Sequence, residues 1–211
     1  MNHSTVADRY YLEDSRGHVG HNVQFWSKDG KGYTTDISKA QVYSKKEAMS
    51  QHDCRESDIP WPTTYMDAKK RLVVDCQYVR QAEASFDEAY YLQDNRIWEG
   101  NDIAFLTNVP GTCSEVVAHA QVYSKEDAER LQQITSYLVA WPKTYIDQKT
   151  RPTVDFRTVS KKQALAGTGI VLKKPQPLRS PTYRCGGCGV FMTQINYYSC
   201  ACPRCDTLNR S

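Results

Sequence analysis

Two Cys-x-x-Cys pairs near the C-terminus have the residue type and the spacing of metal ligands. Cys185 and Cys188 form the first pair, Cys202 and Cys205 form the second, and the segment 189–201 separates the pairs. Four thiolates arranged in this way can close a tetrahedral Zn²⁺ site. A catalytic zinc ion keeps one position open for water, whereas four thiolates leave none. The spacing therefore predicts one structural Zn²⁺ ion, with a disulfide-bonded or free-thiol tail as the alternative.

The glycines beside the first pair suit the backbone that a metal site of this kind needs. Gly186 and Gly187 lie inside the pair, and Gly189 follows its second cysteine. Glycine removes steric conflict where the backbone turns and its amides approach sulfur. We therefore expect a tight turn at the first pair.

Short strands are the predicted frame for the four cysteines. Residues 190–193 and 195–198 are mostly apolar and aromatic, which predicts two strands joined by a tight connection. The whole of 183–211 resembles a zinc ribbon, which implies metal binding but no particular partner. Cys200 lies too close to Cys202 for the usual spacing, so we interpret it as a spare thiol.

The rest of the chain carries one sequence pattern twice. Residues 8–80 (the first repeat) and 88–160 (the second repeat) match position for position without a gap, so that residue 8 corresponds to residue 88. The matching motifs are Tyr-Tyr-Leu-x-Asp-x-Arg from positions 10 and 90, Ala-Gln-Val-Tyr-Ser-Lys from 40 and 120, and Trp-Pro-x-Thr-Tyr-x-Asp-x-Lys-x-Arg from 61 and 141. Such self-similarity predicts two tandem copies of one module.

Each repeat is predicted to be a small α+β module, with a short antiparallel sheet and a helix. In the first repeat, alternating residues at 22–26 precede an Asp-Gly-Lys-Gly turn at 29–32, which is typical of a hairpin. Ser44 and Glu47 form a capping box and predict the start of a helix. The matching Ser124 is predicted to open a longer helix, with apolar residues spaced about one turn apart as far as Val139.

The residues that recur in both repeats have a structural and a functional interpretation. The recurring aromatics are Tyr10, Tyr11, Tyr43, Trp61 and Tyr65, with their counterparts Tyr90, Tyr91, Tyr123, Trp141 and Tyr145. They fit a stacking platform for bases or sugars, but a small domain also needs large side chains to fill its core, and we favour the core. Of each adjacent tyrosine pair, one member is expected to be buried, because neighbours on a strand face opposite ways.

The recurring carboxylates are better explained by ion pairing than by catalysis. Asp67 and Asp75 recur as Asp147 and Asp155, but no histidine recurs with them. The expected role is structural, for example pairing of Asp67 with Arg71 or Lys69, or a contact within a turn. A phosphate-binding glycine loop, a nucleophile elbow and a metalloprotease helix are absent from the sequence. We therefore predict a protein without enzymatic activity, and a metal-dependent nuclease that uses these aspartates is the least favoured hypothesis.

Charge is distributed unevenly along the chain. From residue 156 onward nine Lys and Arg face one acidic residue, which gives +8, and the total of +3 leaves −5 for residues 1–155. A basic tail on an acidic body is typical of contact with nucleic acid or another polyanion. We predict that residues 161–182 form a basic, proline-containing linker that is extended and semi-stiff. The candidate nucleic-acid contacts are Lys161, Lys162, Lys173, Lys174, Arg179, Arg184, Arg204, Tyr197 and Tyr198.

The composition, 40% hydrophobic and 24% charged, is typical of a soluble globular protein. Its longest apolar runs fall short of the roughly 20 residues needed to cross a bilayer, and the N-terminus lacks the pattern of a signal peptide. We therefore expect a cytoplasmic protein without a membrane partner.

The amino-acid sequence of the first repeat resembles small uncharacterised proteins of bacteriophage and prophage genomes. The resemblance depends on Gly-Tyr-Thr-Thr-Asp at 32–36, Ala-x-Val-Tyr-Ser at 40–44 and Glu-Ala at 47–48. It implies a phage accessory factor that acts in a bacterial host cytoplasm. The leading hypothesis is a zinc-ribbon protein that contacts nucleic acid, or a complex bound to it, through the basic C-terminal region. The alternative is an inhibitor of a host protein, in which the zinc ion is purely structural.

Overall fold

Helices and antiparallel strands alternate along the chain, so the predicted α+β class is confirmed. A computed structural model describes residues 8–173, 183–199 and 201–208. By its internal contacts the chain divides into two units, 1–174 and 175–211. No helix in the described ranges is both long and apolar enough to cross a membrane.

In the first repeat a five-stranded antiparallel sheet is built around one central strand, β1. Strand β1 pairs with β2, β4 and β5, and β3 continues the sheet from β2. The turn at 29–32 joins β2 to β3, so the predicted hairpin is present. The strands are β1 Arg9–Asp14, β2 Phe25–Trp26, β3 Tyr33–Thr34, β4 Tyr43–Ser44 and β5 Asp58–Pro62.

The second repeat contains a sheet with the corresponding strand order around β7. Strand β7 pairs with β8, β10 and β11, and β9 continues the sheet from β8. The register corresponds as well, because Tyr11 lies opposite Trp61 in the first sheet and Tyr91 lies opposite Trp141 in the second. The strands are β7 Ala89–Glu99, β8 Asp102–Leu106, β9 Cys113–Ser114, β10 Tyr123–Ser124 and β11 Leu138–Pro142.

One longer helix crosses each sheet. The capping box at the start of α1 is confirmed, since the Glu47 amide donates to Ser44 Oγ and the Ser44 amide donates to the Glu47 carboxylate. The extended helix predicted in the second repeat is wrong, because α3 ends at Ile134 and residues 138 and 139 belong to β11. The helices of the two repeats are α1 Lys45–Cys54, α2 Thr63–Asp67, α3 Lys125–Ile134 and α4 Lys143–Gln148.

The recurring aromatics lie mainly in hydrophobic cores. Tyr10 packs with Leu12 under α1, and Tyr11 packs with Phe25 and Trp61 on the opposite face of the sheet. Both tyrosines are buried, so the expectation that one of the pair is buried is wrong for the first repeat; in the second repeat it is confirmed, since Tyr91 is buried and Tyr90 is only partly buried. The strand does alternate, but each face of the sheet is covered by other elements.

The last strand of each repeat completes the core of the other repeat. Strands β6 (Lys70–Val74) and β12 (Thr150–Val154) pair antiparallel, with Leu72 opposite Pro152 at the centre. Val154 then lies in the core of the first repeat, and Val74 lies in the core of the second. The two repeats therefore share their cores.

A buried polar belt accompanies this exchange of strands. Arg71 contacts Asp155 at 3.1 Å and Glu115 at 2.6 Å, and Arg151 contacts Asp75 at 3.1 Å and Asp102 at 2.9 Å. Three of these ion pairs join one repeat to the other, and the Arg151–Asp102 pair lies within the second repeat. Pairing of carboxylates with bases is therefore the role found for residues 75 and 155. The pairing of Asp67 with Arg71 or Lys69 is wrong, because Asp67 accepts a hydrogen bond from Tyr11 and pairs with Lys70.

The described part of the predicted linker, 161–173, packs against the body and is not an extended tether. It begins with helix α5 (Lys161–Leu165), and Ala164 lies in the first hydrophobic core. The Lys173 amide donates to Nε2 of buried His52 at 2.9 Å, which holds the end of the segment against α1. The prediction of an extended, proline-stiffened backbone is therefore wrong for 161–173, and residues 174–182 lie outside the described ranges.

The shared cores lead to a test with one valine. Val74→Ala removes two methyl groups from a fully buried side chain, and we expect it to lower the free energy of unfolding by about 2 kcal/mol. Because Val74 packs in the second core, hydrogen exchange should accelerate more at 103–105 in β8 than in β1 of its own repeat. Leu72→Ala, at a side chain that is 48% exposed on the same strand, is the matched control. Faster exchange confined to the first sheet would contradict the shared cores.

Candidate metal centre

The four predicted metal ligands come together in the unit 175–211. The sulfur atoms of Cys185, Cys188, Cys202 and Cys205 all lie within 4.8 Å of one another. Sγ of Cys185 is 3.5 Å from Sγ of Cys205, and Sγ of Cys188 is 3.7 Å from Sγ of Cys202. Thiolates bound to one tetrahedral ion at about 2.3 Å are separated by comparable distances. The group can therefore hold a metal ion.

Each cysteine pair forms a turn in which backbone amides point at sulfur. The Gly187 amide donates to Cys185 Sγ at 3.3 Å, and the Arg204 amide donates to Cys202 Sγ at 3.4 Å. The residue after each pair has a positive φ, +71° at Gly189 and +52° at Asp206. The two turns therefore have a matching backbone, although only the first has glycine at that position.

Gly187 is required by close packing between the two turns. A Cβ atom at this position would lie 2.2 Å from Oγ1 of Thr207 and 3.3 Å from Sγ of Cys205. Contacts under 3.0 Å are not tolerated, so any side chain here would displace the Thr207 side chain or the turn that carries it. The sequence assigned this glycine to the turn of its own cysteine pair, whereas the geometry gives it a different role: its missing side chain lets the two cysteine pairs meet.

A two-stranded sheet and a short helix hold the two turns. Strand β13 (Tyr183–Arg184) pairs with β14 (Phe191–Met192), and helix α6 (Gln194–Ser199) follows. The predicted strand at 195–198 is therefore wrong. Buried Met192 and partly buried Tyr197 pack against Cys185 and Cys202, and they form a small core around the sulfurs.

The electrostatics of the site favour a bound cation. Hydrogen bonding from the Cys188 amide, partly offset by burial and reinforced by the Gly187 amide, lowers the pKa of the Cys185 thiol to about 6. The Val190 amide lowers the pKa of Cys188, but the neighbouring sulfurs, Cys205 first, raise it to about 11 overall. Hydrogen bonds from the Thr207 hydroxyl and amide lower the pKa of Cys205 as well, so two thiolates form readily while that of Cys188 is opposed by its neighbours. A divalent ion removes this repulsion.

A second group of metal-ligand side chains lies in the body but is already occupied by arginines. His21, Glu115 and Asp155 have ligand atoms within 4.8 Å of one another. The guanidinium of Arg71 contacts both carboxylates, and Arg157 contacts Asp155 at 2.6 Å. Burial raises the pKa of Asp155, but the hydrogen bonds from Arg157 and the charge of Arg71 outweigh it, so the net shift is downward. These bases supply the positive charge that a metal ion would bring.

The predicted nucleic-acid contacts are distributed over both units. Lys161 and Lys162 are exposed on α5, whereas Lys173 is paired with Asp53 at 2.9 Å. Lys174 and Arg179 lie outside the described residues. Arg184, Arg204 and Tyr198 are exposed in the metal-binding unit, but Tyr197 is partly buried in its core.

One aromatic residue of this unit was not among the predicted contacts. The Phe191 side chain is 61% exposed, and the guanidinium of Arg184 lies 4.3 Å from the centre of its ring. The two residues are opposite each other in the β13–β14 register. Because Tyr183 and Met192 point to the core, alternation along the two strands places Arg184 and Phe191 on the outer face. Alternation along the predicted strand 190–193 was the sequence signal that could have identified Phe191 as exposed.

No protein-family model matches the chain, and neither a curated protein nor a solved structure is significantly similar to it. The resemblance of the repeats to phage proteins gains no support from these comparisons. The assignment of the metal centre therefore depends on its geometry alone.

The packing at Gly187 gives a test of the metal centre. Gly187→Ala should weaken metal binding by roughly 10- to 100-fold, as is usual when the groups that support metal ligands are disturbed. The measurement is competition between the protein and a chromogenic chelator for Zn²⁺ or Co²⁺. Thr207→Ala removes the nearest atom, so adding it to Gly187→Ala should restore part of the affinity. Unchanged affinity in Gly187→Ala would show that the two turns are not packed as described.

Proposed function

We propose that this chain is a zinc-ribbon binding protein that contacts nucleic acid, or a complex bound to nucleic acid, through its basic C-terminal region. The observation that carries the proposal is the convergence of four cysteine sulfurs within the C-terminal region 156–211, whose formal charge is +8. The metal ion has a structural role, and the protein does not catalyse a reaction. A phage accessory factor in a host cytoplasm remains the proposed biological setting.

Zinc is the ion that suits this donor set. Four sulfur ligands in a tetrahedral group favour Zn²⁺ or an iron–sulfur cluster over hard ions such as Mg²⁺. The sulfurs are close enough together for a single ion. With four thiolates bound, a zinc ion has no open position for water or substrate, which supports a structural role.

The surface of the metal-binding unit offers the two kinds of contact that single-stranded nucleic acid needs. Arg184 and Arg204 supply exposed positive charge, and Phe191 and Tyr198 supply exposed rings. Base stacking on aromatic side chains contributes about 1–3 kcal/mol per base, and Lys and Arg contacts to phosphate make the binding dependent on salt. A guanidinium beside an exposed ring is a favourable arrangement for stacking on a base.

We infer that the body arose by tandem duplication of one module. The gapless match between 8–80 and 88–160, the corresponding strand orders and the corresponding exchange of β6 and β12 support this inference. Several apolar side chains of the second repeat are exposed: Ile97, Trp98, Val109, Val122 and Ile134. They favour the alternative function, inhibition of a host protein by direct contact with this repeat.

The metal content provides the first test of the proposal. We expect about one Zn per chain by elemental analysis, because a single four-thiolate site is formed. Cys185→Ser should lose the ion and unfold the metal-binding unit locally, while Cys200→Ser should keep it because Cys200 is not a predicted ligand. Preparations free of zinc, or loss of zinc from Cys200→Ser, would refute the ligand assignment.

Salt-dependent binding to nucleic acid provides the second test. The protein should bind a fluorescent single-stranded oligonucleotide, with affinity that falls as salt rises. Lys161→Ala with Lys162→Ala should reduce the slope of log K against log salt by about 1–2, since each phosphate contact on a single strand contributes about 0.7. Phe191→Ala should cost about tenfold in affinity at every salt concentration.

A matched control separates these effects from net charge. Lys31→Ala with Lys46→Ala removes two exposed lysines from the acidic body, and we expect it to leave the salt slope unchanged. Absence of binding at low salt to single-stranded DNA, RNA and duplex would refute the nucleic-acid proposal. If nucleic-acid binding is absent and the chain captures a defined protein from a nuclease-treated bacterial lysate, the alternative function, inhibition of a host protein, would be favoured.

A further inference from the structure

A groove of about 640 Å³ lies in the body, at the place where the two repeats meet. One wall is strand β6 of the first repeat, and the other is the 3₁₀ turn Val117–His119 of the second repeat together with the residue before it. The side chains that define it are Lys69, Lys70, Leu72, Val116, Ala118 and His119. A volume of this size is in the range of small-molecule sites.

The charge in this groove is positive. Its one carboxylate, Asp155, contacts the guanidinium groups of both Arg71 and Arg157, so it is already neutralised. Lys70 is paired with Asp67 at 2.9 Å. Lys69 has no ion-pair partner among the residues that the structure describes. Lys69 therefore remains as the free cation of the groove, and the exposed ring of His119 lies on the opposite wall.

The groove also exposes apolar surface. Leu72 is 48% exposed, although strand β6 is central to the junction of the repeats. Val116 is partly buried and Ala118 is exposed on the facing wall. An apolar surface beside a free cation is the arrangement that binds an organic anion with an apolar body.

The first repeat supplies an internal comparison for these residues. At the position that matches Val116 it has Asp36, whose carboxylate accepts from the Ser38 amide at 3.0 Å and from the Ser38 hydroxyl at 2.6 Å. This carboxylate caps the turn Ile37–Lys39. The corresponding turn in the second repeat has no side-chain cap at Val116.

Stability of the turn does not explain this substitution. Loss of a capping carboxylate typically costs about 1 kcal/mol. The second repeat does not compensate for this loss at the turn, because Ser114 Oγ accepts from the Val116 amide at 3.1 Å just as Thr34 Oγ1 accepts from the Asp36 amide in the first repeat. The gain at Val116 is an apolar side chain on the wall of the groove and the absence of a negative charge there. Binding of an apolar anion explains both changes.

We propose that this groove binds a small organic anion. Its aromatic or branched aliphatic body lies against Leu72, Val116 and Ala118, and its carboxylate, sulfonate or phosphate group lies beside Lys69 and His119. The site is in the body of the chain and is independent of the metal centre and of nucleic-acid binding. Capture of such a ligand gives the body a role of its own.

The test uses the full chain and two probes with similar aromatic bodies. 8-Anilinonaphthalene-1-sulfonate carries the anionic group, and N-phenyl-1-naphthylamine lacks it. We expect the sulfonate probe to bind at least about tenfold more tightly than the neutral one, since a paired anionic group contributes about 1.4 kcal/mol or more. Its binding should shift the NMR signals of the Leu72 and Val116 methyl groups.

Val116→Asp gives the second repeat the same residue that the first repeat has at the matching position, Asp36, and so places a carboxylate on the wall of the groove. This variant should fold at least as well, because a capping carboxylate is restored, yet it should bind the sulfonate probe at least about tenfold more weakly, since a negative charge now faces the anion. Lys69→Ala should weaken the sulfonate probe but not the neutral one. Lys46→Ala, which removes an exposed lysine elsewhere in the body, is the control and should leave both probes unchanged.

Three results would overturn the proposal. The first is equal affinity for the two probes, and the second is methyl shifts that map away from Leu72 and Val116. The third is a folded Val116→Asp variant, as judged by thermal unfolding, that binds the sulfonate probe as tightly as the original chain.

Discussion

The exchange of strands β6 and β12 between the repeats is the constraint on which the body of this chain depends. Each strand carries a buried valine into the hydrophobic core of the other repeat, so neither core is complete without both. The backbones of the two repeats also approach each other closely at a second place. A Cβ on Gly20 would lie 2.6 Å from the carbonyl carbon of Glu99, and one on Gly100 would lie 2.5 Å from the Gly20 amide nitrogen. Glycine is therefore required at two matching positions, one in each repeat.

The crossing also explains why the two repeats are not identical where they meet. Residues 22 and 102 occupy matching positions and face each other, so identical copies would place two aspartates or two asparagines in contact. Here the Asn22 amide donates to the Asp102 carboxylate at 2.5 Å. Burial raises the pKa of Asp102, while Asn22 and Arg151 act against that shift. Under the proposed duplication, joining the copies in one chain would let residues 22 and 102 change separately until the pair is complementary. The buried ion pairs of Arg71 and Arg151 beside it add little net stability, and their better-supported role is to specify which strand pairs with which.

The sequence predicts local features of this chain better than long-range pairing. The four cysteines, the capping box at Ser44 and the hairpin at 29–32 depend on residues close in sequence, and each was identified correctly. The exchange of β6 and β12 could not be predicted, because the match between the repeats is the same whether a strand packs in its own repeat or in the other. The partners of Arg71 were missed for the same reason.

Short segments were assigned wrongly where the local signal was ambiguous. Residues 195–198 are apolar and aromatic, which suits a strand, but their position after Thr193, whose side chain accepts from the Asn196 amide, favours the start of a helix. In the predicted linker, charge and proline content suggested a tether. The apolar residues Ala164, Ile170 and Leu172 decided its structure, because burying them against the body offsets the entropy lost on ordering the segment.

The metal centre and the proposed binding surface are linked through the same few residues. Four thiolates and one Zn²⁺ carry a formal charge of −2, which works against the positive surface expected from Arg184 and Arg204. The amides that donate to the sulfurs spread part of this charge into the backbone. Arg184 adjoins Cys185, and Phe191 adjoins Met192, which packs on the sulfurs. A metal ion that fixes the turns therefore also fixes the guanidinium and the ring relative to each other. A zinc ion bound here would therefore order the proposed binding surface without itself touching nucleic acid.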